Sequence, residues 1–251
     1  MGASSLVSIL EKHRQAFHSV VPFDPARDTL YPFDFTDENT DLSPEQIADT
    51  ERFAAYINKV LKEHHGKYGF GGYDEHRTLY ARSKHFDHSP PVSGSEAART
   101  SSLQGEAATE PRRLHLGIDI WGAAGTKIMS PLDGIIHSFA FNNNDSDYGA
   151  TLVLTHNLEG VGFHTLYGHL SLNSLKNLHG GKHIRKGEVI GEFGMRFENG
   201  NWPPHLHFQI IQDMQGWKGD YPGVCKFSER AQWLENCPDP DLILQLRQYL
   251  K

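Results

Sequence analysis

With 251 residues, the chain can bury one good core, or one core and a small accessory lobe. Its 24 Lys and Arg against 31 Asp and Glu give a net charge of −7, which argues against nucleic acid as a partner, since phosphate binding needs a basic surface. Hydrophobic residues make up 38% and the mean hydropathy is −0.52, and no apolar run approaches the length of a membrane span.

From the start, residues 1–6 lack a basic n-region, and Glu11, Lys12, His13 and Arg14 interrupt any apolar stretch of a secretory signal. The expectation is a chain that stays in the cytoplasm or is exported by a non-classical route. Gly2 resembles a myristoylation start, but Leu6 stands where Ser or Thr is wanted. Residues 4–18 suit a helix with Leu6, Ile9, Leu10 and Phe17 as its apolar stripe. Ser43-Pro44-Glu45-Gln46 reads as a helix start, with Ser as N-cap, Pro at the first position and Gln closing a capping box. Ile47, Phe53, Ala54, Ile57, Val60 and Leu61 follow at helical spacing, so residues 1–67 are expected to be an N-terminal helical region.

Residues 68–87 carry strand-like Tyr73, Leu79, Tyr80 and Phe86 and are expected to lead into a sheet. Across residues 88–112 Ser, Ala, Pro, Gly and Glu prevail and apolar side chains nearly vanish. Such a segment cannot offset its ordering entropy by burial, which predicts a flexible loop or linker. A domain over residues 113–223 follows, and residues 224–251 are expected to cap it with helices at 228–236 and 241–250. Cys225 and Cys237 are too few for a disulfide framework or a zinc–thiolate site.

The chemistry concentrates in three short elements. Around His115 and Asp119, Leu114, Leu116, Ile118 and Ile120 alternate with polar residues and Gly117, as in a half-buried strand. Leu206, Phe208 and Ile210 do the same around His205, His207 and Gln209. In the third, Thr165, Tyr167 and His169 are expected on one face. A sheet joining the three gathers four imidazoles and one carboxylate in one cleft. Zinc in a hydrolase takes three ligands from His, Asp and Glu and keeps a fourth position for water, whose pKa falls to about 7. Two further histidines beside it suit a proton carrier and an oxyanion donor. With 16 histidines in the chain, some His-x-His pairs arise by chance, and His137, His156, His164, His179 and His183 are read as surface or supporting residues.

The stretches HLGIDIWGAAGTKIMSPLDGII, LVLTH, TLYGHLS, IRKGEVIGEFG and PPHLHFQI, in this order, resemble the LytM/lysostaphin-type zinc metallopeptidases, best known as peptidoglycan endopeptidases. The resemblance runs from residue 114 to about 211. It implies a mainly β fold, an antiparallel β-sandwich or barrel-like sheet crossed by a groove, with flanking N- and C-terminal helices. It implies one Zn2+ per chain held by His115, Asp119 and His207, with His169 and His205 as the catalytic histidines. A peptide or peptidoglycan-derived substrate follows, with hydrolysis of a stem or cross-bridge peptide bond. In some relatives an upstream side chain occupies the open zinc position, which makes His76, His85 and Asp87 candidates beside a plain structural role.

Departures from the family pattern bear on the substrate. Tyr148-Gly149-Ala150-Thr151 stands where Gly-Asn-x-Val is usual, Gln209 replaces a frequent Glu, and residues 197–204 replace a short Gly/Ser/Thr-rich approach. Trp202 and Trp217 are expected to wall the groove. The alternatives are a zinc amidase or hydrolase of an intracellular peptide or small molecule, and a non-catalytic regulator on the same fold. The regulator is disfavoured because no ligand is missing. A sugar-phosphotransfer carrier is disfavoured by Asp119.

Overall fold

The computed structural model describes residues 3–87 and 110–250. The expected linker lies, for residues 88–109, outside the described residues. Arg112, at its far end, is buried, and its backbone N–H and guanidinium donate to the carbonyls of Phe86 and His85.

Among the described residues, three α-helices precede the His- and Asp-bearing motifs: α1 (Ala3–Lys12), α2 (Pro44–Ala48) and α3 (Thr50–Glu63). The capping box of α2 is present, Ser43 and Gln46 bonding each other's backbone N–H. Asp49 then caps α3 by accepting from Glu51 and Arg52. Phe53, Ile57 and Leu61, four residues apart, form the buried face of α3. Leu6 and Leu10 of α1 sink into the main core beside Ile243 and Leu244 of α5 (Asp241–Leu244). Burial of each such side chain contributes on the order of 1.5–3 kcal/mol. The other C-terminal helix, α4, spans Arg230–Asn236.

The strands are β1 (Leu30–Phe33), β2 (Tyr68–Gly71), β3 (Leu114–His115), β4 (Ile118–Trp121), β5 (Lys127–Met129) and β6 (Gly134–Asn142). They continue with β7 (Gly149–Leu158), β8 (Val161–Leu170), β9 (His183–Ile184), β10 (Val189–Glu192), β11 (His205–Ile211) and β12 (Val224–Cys225). Eight of them form one sheet in the order β1-β2-β4-β11-β8-β7-β6-β9. Its pairings are antiparallel except between β1 and β2. The fold is mainly β, as expected.

One face of this sheet carries the main core, including Ile118, Ile120, Tyr167, Leu206, Phe208 and Ile210. Two smaller clusters cover the other face. Phe33, Phe35, Phe53, Leu79 and Trp202 surround Trp121, while Leu114, Leu116, Tyr148, Leu166, Ile211 and Tyr221 form the second. The polar residues of β4 and β11 lie between these clusters, and the N-terminal region builds one wall.

The structure corrects two expectations about the strands. Residues 114–120 are not one strand: β3 pairs with β12, and β4 enters the large sheet after a break at Leu116-Gly117. Leu114 and Leu116 therefore pack in a different cluster from Ile118 and Ile120. After β2, residues 68–87 continue as 3-10 turns at Thr78–Arg82 and Lys84–Phe86 instead of strand. The C-terminal 241–250 helix is likewise shorter, ending at Gln245, whose φ is +52°.

Candidate metal centre and its histidines

Register in the sheet builds the site. His207 is paired with Asp119 on one side and Gly168 on the other, and His205 is paired with Trp121. Paired residues on adjacent strands point to the same face, so Asp119 and His207 meet while His205 stacks on the Trp121 ring at 3.9 Å and 14°. Gly168 leaves room beside His207: a Cβ there would lie 2.4 Å from Cδ1 of Tyr148, whose ring packs against His207. His115 arrives from the separate ribbon β3–β12. Gly117 permits this approach, since a Cβ on it would lie 2.4 Å from Cε1 of His207.

Strict alternation along β8 would put His169 with Thr165 and Tyr167, which is what the sequence predicts and what the structure overturns. Tyr167 faces the main core against Phe208. His169 adopts φ +63°, a left-handed conformation that few non-glycine residues take, and turns to the opposite face. Its ring lies 4.0 Å from that of His205.

The ligand atoms converge tightly. His115 Nε2 lies 2.9 Å from His207 Nδ1, and Asp119 Oδ1 lies 3.4 Å and 3.1 Å from them. All three residues are buried. The protonation of each ring follows from its other nitrogen. His115 Nδ1 faces the Gly72 carbonyl at 2.9 Å, and a carbonyl only accepts, so Nδ1 carries the hydrogen. His207 Nε2 donates to Gln209 Oε1 at 2.9 Å, and the amide is oriented by its own donation to the Pro222 carbonyl. Two bare imidazole nitrogens and a carboxylate oxygen thus point at one spot, a set of acceptors that a divalent cation satisfies. The donor set fits zinc, with these supporting bonds fixing each tautomer.

His169 and His205 stand beside this centre in the same orientation. Their Nδ1 atoms donate to the carbonyls of Asn199 and Pro203, each at 2.8 Å, leaving both Nε2 atoms bare. All five residues are buried, and four of them, His115 excepted, line one cavity of about 170 Å³. Trp202 and Trp217 also line it, together with Tyr80, His85, Arg112, Tyr148 and Asp220.

Electrostatics match the geometry. Burial, with the Arg77 charge added, pushes His115 down to about 4. Burial likewise pushes His205 to about 4 and His169, next to it, well below the usual range. The rings are therefore neutral acceptors at neutral pH. Burial works against ionisation of Asp119, but its polar surroundings, the permanent charge of the Arg77 guanidinium included, outweigh it and hold the carboxyl well below the carboxylate range.

The remaining residues singled out in the sequence take supporting places. His76 packs against Phe227, Asp87 pairs with Arg113 at 2.6 Å, and His85 lines the cavity; among the described residues only His115, Asp119 and His207 form a metal-ligand cluster. Of the two roles expected for His156, surface or supporting, it takes the buried one, between the Asp133 carbonyl and Thr165. Cys225 and Cys237 are buried free thiols, each pushed up to about 12 by burial.

Sequence reasoning missed three supporting residues. Gln209 stands among the departures from the family pattern, and its place two residues after His207 on one strand face is a usable signal. Tyr148 and Arg77 gave none: Arg77, fully buried, donates to Asp119 Oδ2 at 2.5 Å from 42 positions upstream.

Part of this chain resembles known proteins. The model of Peptidase family M23 matches residues 113–219, less than half of the chain. A DD-carboxypeptidase/endopeptidase Mpg of Neisseria gonorrhoeae is 35% identical over 97 residues, covering 39% of this chain and 20% of that protein. An uncharacterized metalloprotease of Haemophilus influenzae is 31% identical over 101 residues, covering 39% and 18%. The matching part thus spans about a fifth of these curated relatives. Among solved structures, the antimicrobial peptidase lysostaphin from Staphylococcus simulans is 27% identical, with 55% of this chain and 46% of that chain covered at a TM-score of 0.37. A zinc containing peptidase from Vibrio cholerae is 24% identical, with 47% and 34% covered at a TM-score of 0.34. Residues 113–219, from β3 to beyond β11, are thus what this chain shares with Peptidase family M23.

Proposed function

We propose that the chain is a zinc-dependent endopeptidase that hydrolyses a peptide bond in peptidoglycan stem or cross-bridge peptides. His115, Asp119 and His207 hold the ion, one per chain. His169 and His205 are the catalytic histidines. The observation that carries this reading is the convergence of His115 Nε2, His207 Nδ1 and Asp119 Oδ1 beside two more bare Nε2 atoms in one cavity. When bound, zinc supplies Lewis-acid activation of water and of the scissile carbonyl.

The chain's own residues do the rest. Neutral His169 and His205 each present an unprotonated Nε2, so one accepts a proton from the attacking water and passes it to the leaving amine nitrogen. The partner ring, neutral and with its own bare Nε2, accepts a hydrogen bond from the attacking water's second hydrogen and orients it. The Asn199 and Pro203 carbonyls hold each Nδ1–H and stabilise the imidazolium when it forms. The Trp121 ring keeps His205 from rotating. Trp202, Tyr148 and Trp217 enclose the peptide and exclude water.

The name of the Neisseria relative, a DD-carboxypeptidase/endopeptidase, supports including D-alanyl peptides among the substrates. The test is incubation of the purified, zinc-loaded chain with muropeptides and with glycyl and D-alanyl peptides, followed by mass spectrometry. Cleaved muropeptides are the expected result. Cleavage of none of the three sets would overturn the peptidase reading, and cleavage of simple peptides alone would overturn the peptidoglycan substrate.

A further inference from the structure

We propose that Arg77 is a positioning residue of the metal centre, one that keeps Asp119 a one-oxygen ligand by tying back its second oxygen. The inference rests on the zinc reading above. It assigns a role to a segment that lies outside the matched residues 113–219.

Arg77 is 0% exposed and among the largest fully buried side chains. A buried guanidinium is costly unless its charge and donors are matched. Here Nη1 donates to Asp119 Oδ2 at 2.5 Å and Nε to Glu75 Oε2 at 2.5 Å. Nη2 reaches the Gly72 carbonyl at 3.3 Å, and the guanidinium lies over the Phe35 ring at 5.4 Å. The fork therefore splits between two carboxylates, an arrangement that a compact ammonium does not reproduce.

The two oxygens of Asp119 are thereby divided. Oδ2 belongs to Arg77, while Oδ1 faces His115 and His207. A carboxylate held this way has one free oxygen in a fixed direction, and it cannot swing to offer both. Arg77, Glu75 and Asp119 together sum to −1, so one excess negative charge remains for the cation. The same upstream stretch supplies the Gly72 carbonyl that sets the His115 tautomer, and β2 brings it into place by pairing Gly71 with Asp119. A plain structural brace between β2 and the sheet would hold the fold without affecting the ion.

The experiment uses the full chain as wild type, Arg77→Lys, Arg77→Met and Glu75→Gln. Zinc affinity is read by chelator competition, and ligand geometry by the visible absorption of the cobalt(II)-substituted protein. Thermal melts of the metal-free proteins control for folding. Arg77→Lys is expected to keep one zinc per chain with affinity lowered 10–100-fold and an altered cobalt spectrum. Glu75→Gln loosens Arg77 from its far side without touching Asp119 and is expected to shift both readouts in the same direction by less. If Arg77→Met does not fold, Arg77→Lys and Glu75→Gln decide. Wild-type zinc affinity and an unchanged cobalt spectrum in the folded variants would overturn the role. A wild type that binds neither zinc nor cobalt would instead overturn the metal reading itself, and this role with it.

Discussion

His115 Nε2 and His207 Nδ1 face each other at 2.9 Å, and neither carries a hydrogen, because each ring donates from its other nitrogen to a fixed oxygen. Two lone pairs at that distance repel unless a cation or a proton lies between them. Burial opposes the proton at His115. The pair is thus preorganised for a metal ion, with Asp119 Oδ1 completing the set.

The first expected outcome is therefore about one zinc per chain by elemental analysis, lost in His115→Ala, Asp119→Ala and His207→Ala. Chelation is expected to lower the melting temperature, since a ligand present at about a thousand times its Kd stabilises the folded state by about 4 kcal/mol. Full metal content in the His115 and Asp119 variants would show that the ligand set is wrong.

Catalyst and ligand separate in the second. His169→Ala and His205→Ala are expected to keep zinc and lose roughly a hundredfold or more in turnover, the scale of general acid–base loss. Metal content measured beside kcat checks this. A folded but metal-free His205→Ala would reverse the roles of His205 and His207.

Gln209 fixes the His207 tautomer through a neutral amide. Replacing it with Leu removes the acceptor, frees the ring to protonate at Nδ1, and is expected to weaken zinc about 10–100-fold. Gln209→Glu restores an acceptor and is expected to stay within a few-fold of wild type in chelator competition. Equal affinity for all three proteins would remove the role.

Acid is expected to destabilise the metal-free protein before carboxylates matter. Burial pushes His156 down to about 4 from an ordinary 6.5, its Nδ1–H being bound to Asp133 O and its Nε2 facing Thr165. The unfolded chain takes up that proton first. The contribution to stability is whole above pH 6.5, falls as pH drops from 6.5 towards 4, and is flat below. The slope is about 1.4 kcal/mol per pH unit per such histidine. Melts of wild type and His156→Gln across this window are expected to converge as pH falls. Parallel curves would mean that His156 does not contribute.

Gly117→Ala is expected to cost about 1–3 kcal/mol by overpacking and to weaken zinc, because the added methyl meets the His207 ring and the Phe208 carbonyl. Gly162→Ala is its control: the nearest atom to its Cβ is 4.0 Å away, at the His156 carbonyl. Melts and zinc titrations of both variants make the comparison, and equal behaviour would contradict the close approach at Gly117.

Much of the site was legible because strand alternation and short motifs are local. The alternation of Leu206, Phe208 and Ile210 against His205, His207 and Gln209 survives intact in β11, since a straight, paired strand keeps its period. The capping box at Ser43 and Gln46 likewise needs only four neighbouring residues. The sequence alone therefore determined a mainly β chain with a His- and Asp-lined cleft, and the proposed division of that cleft into ligands and catalysts rests on the motif resemblance.

Tertiary structure decided what alternation cannot express. His169 reaches the site only by a left-handed φ, imposed where β8 leaves its register and His169 N–H meets Tyr148 O. His115 reaches it because the chain breaks at Gly117 and pairs with β12, over a hundred residues later in sequence. Arg77 reaches Asp119 because β2 adds to the edge of β4. Each depends on which distant segments pair, and pairing is set by long-range burial of the sheet's two faces, which no local window of residues records.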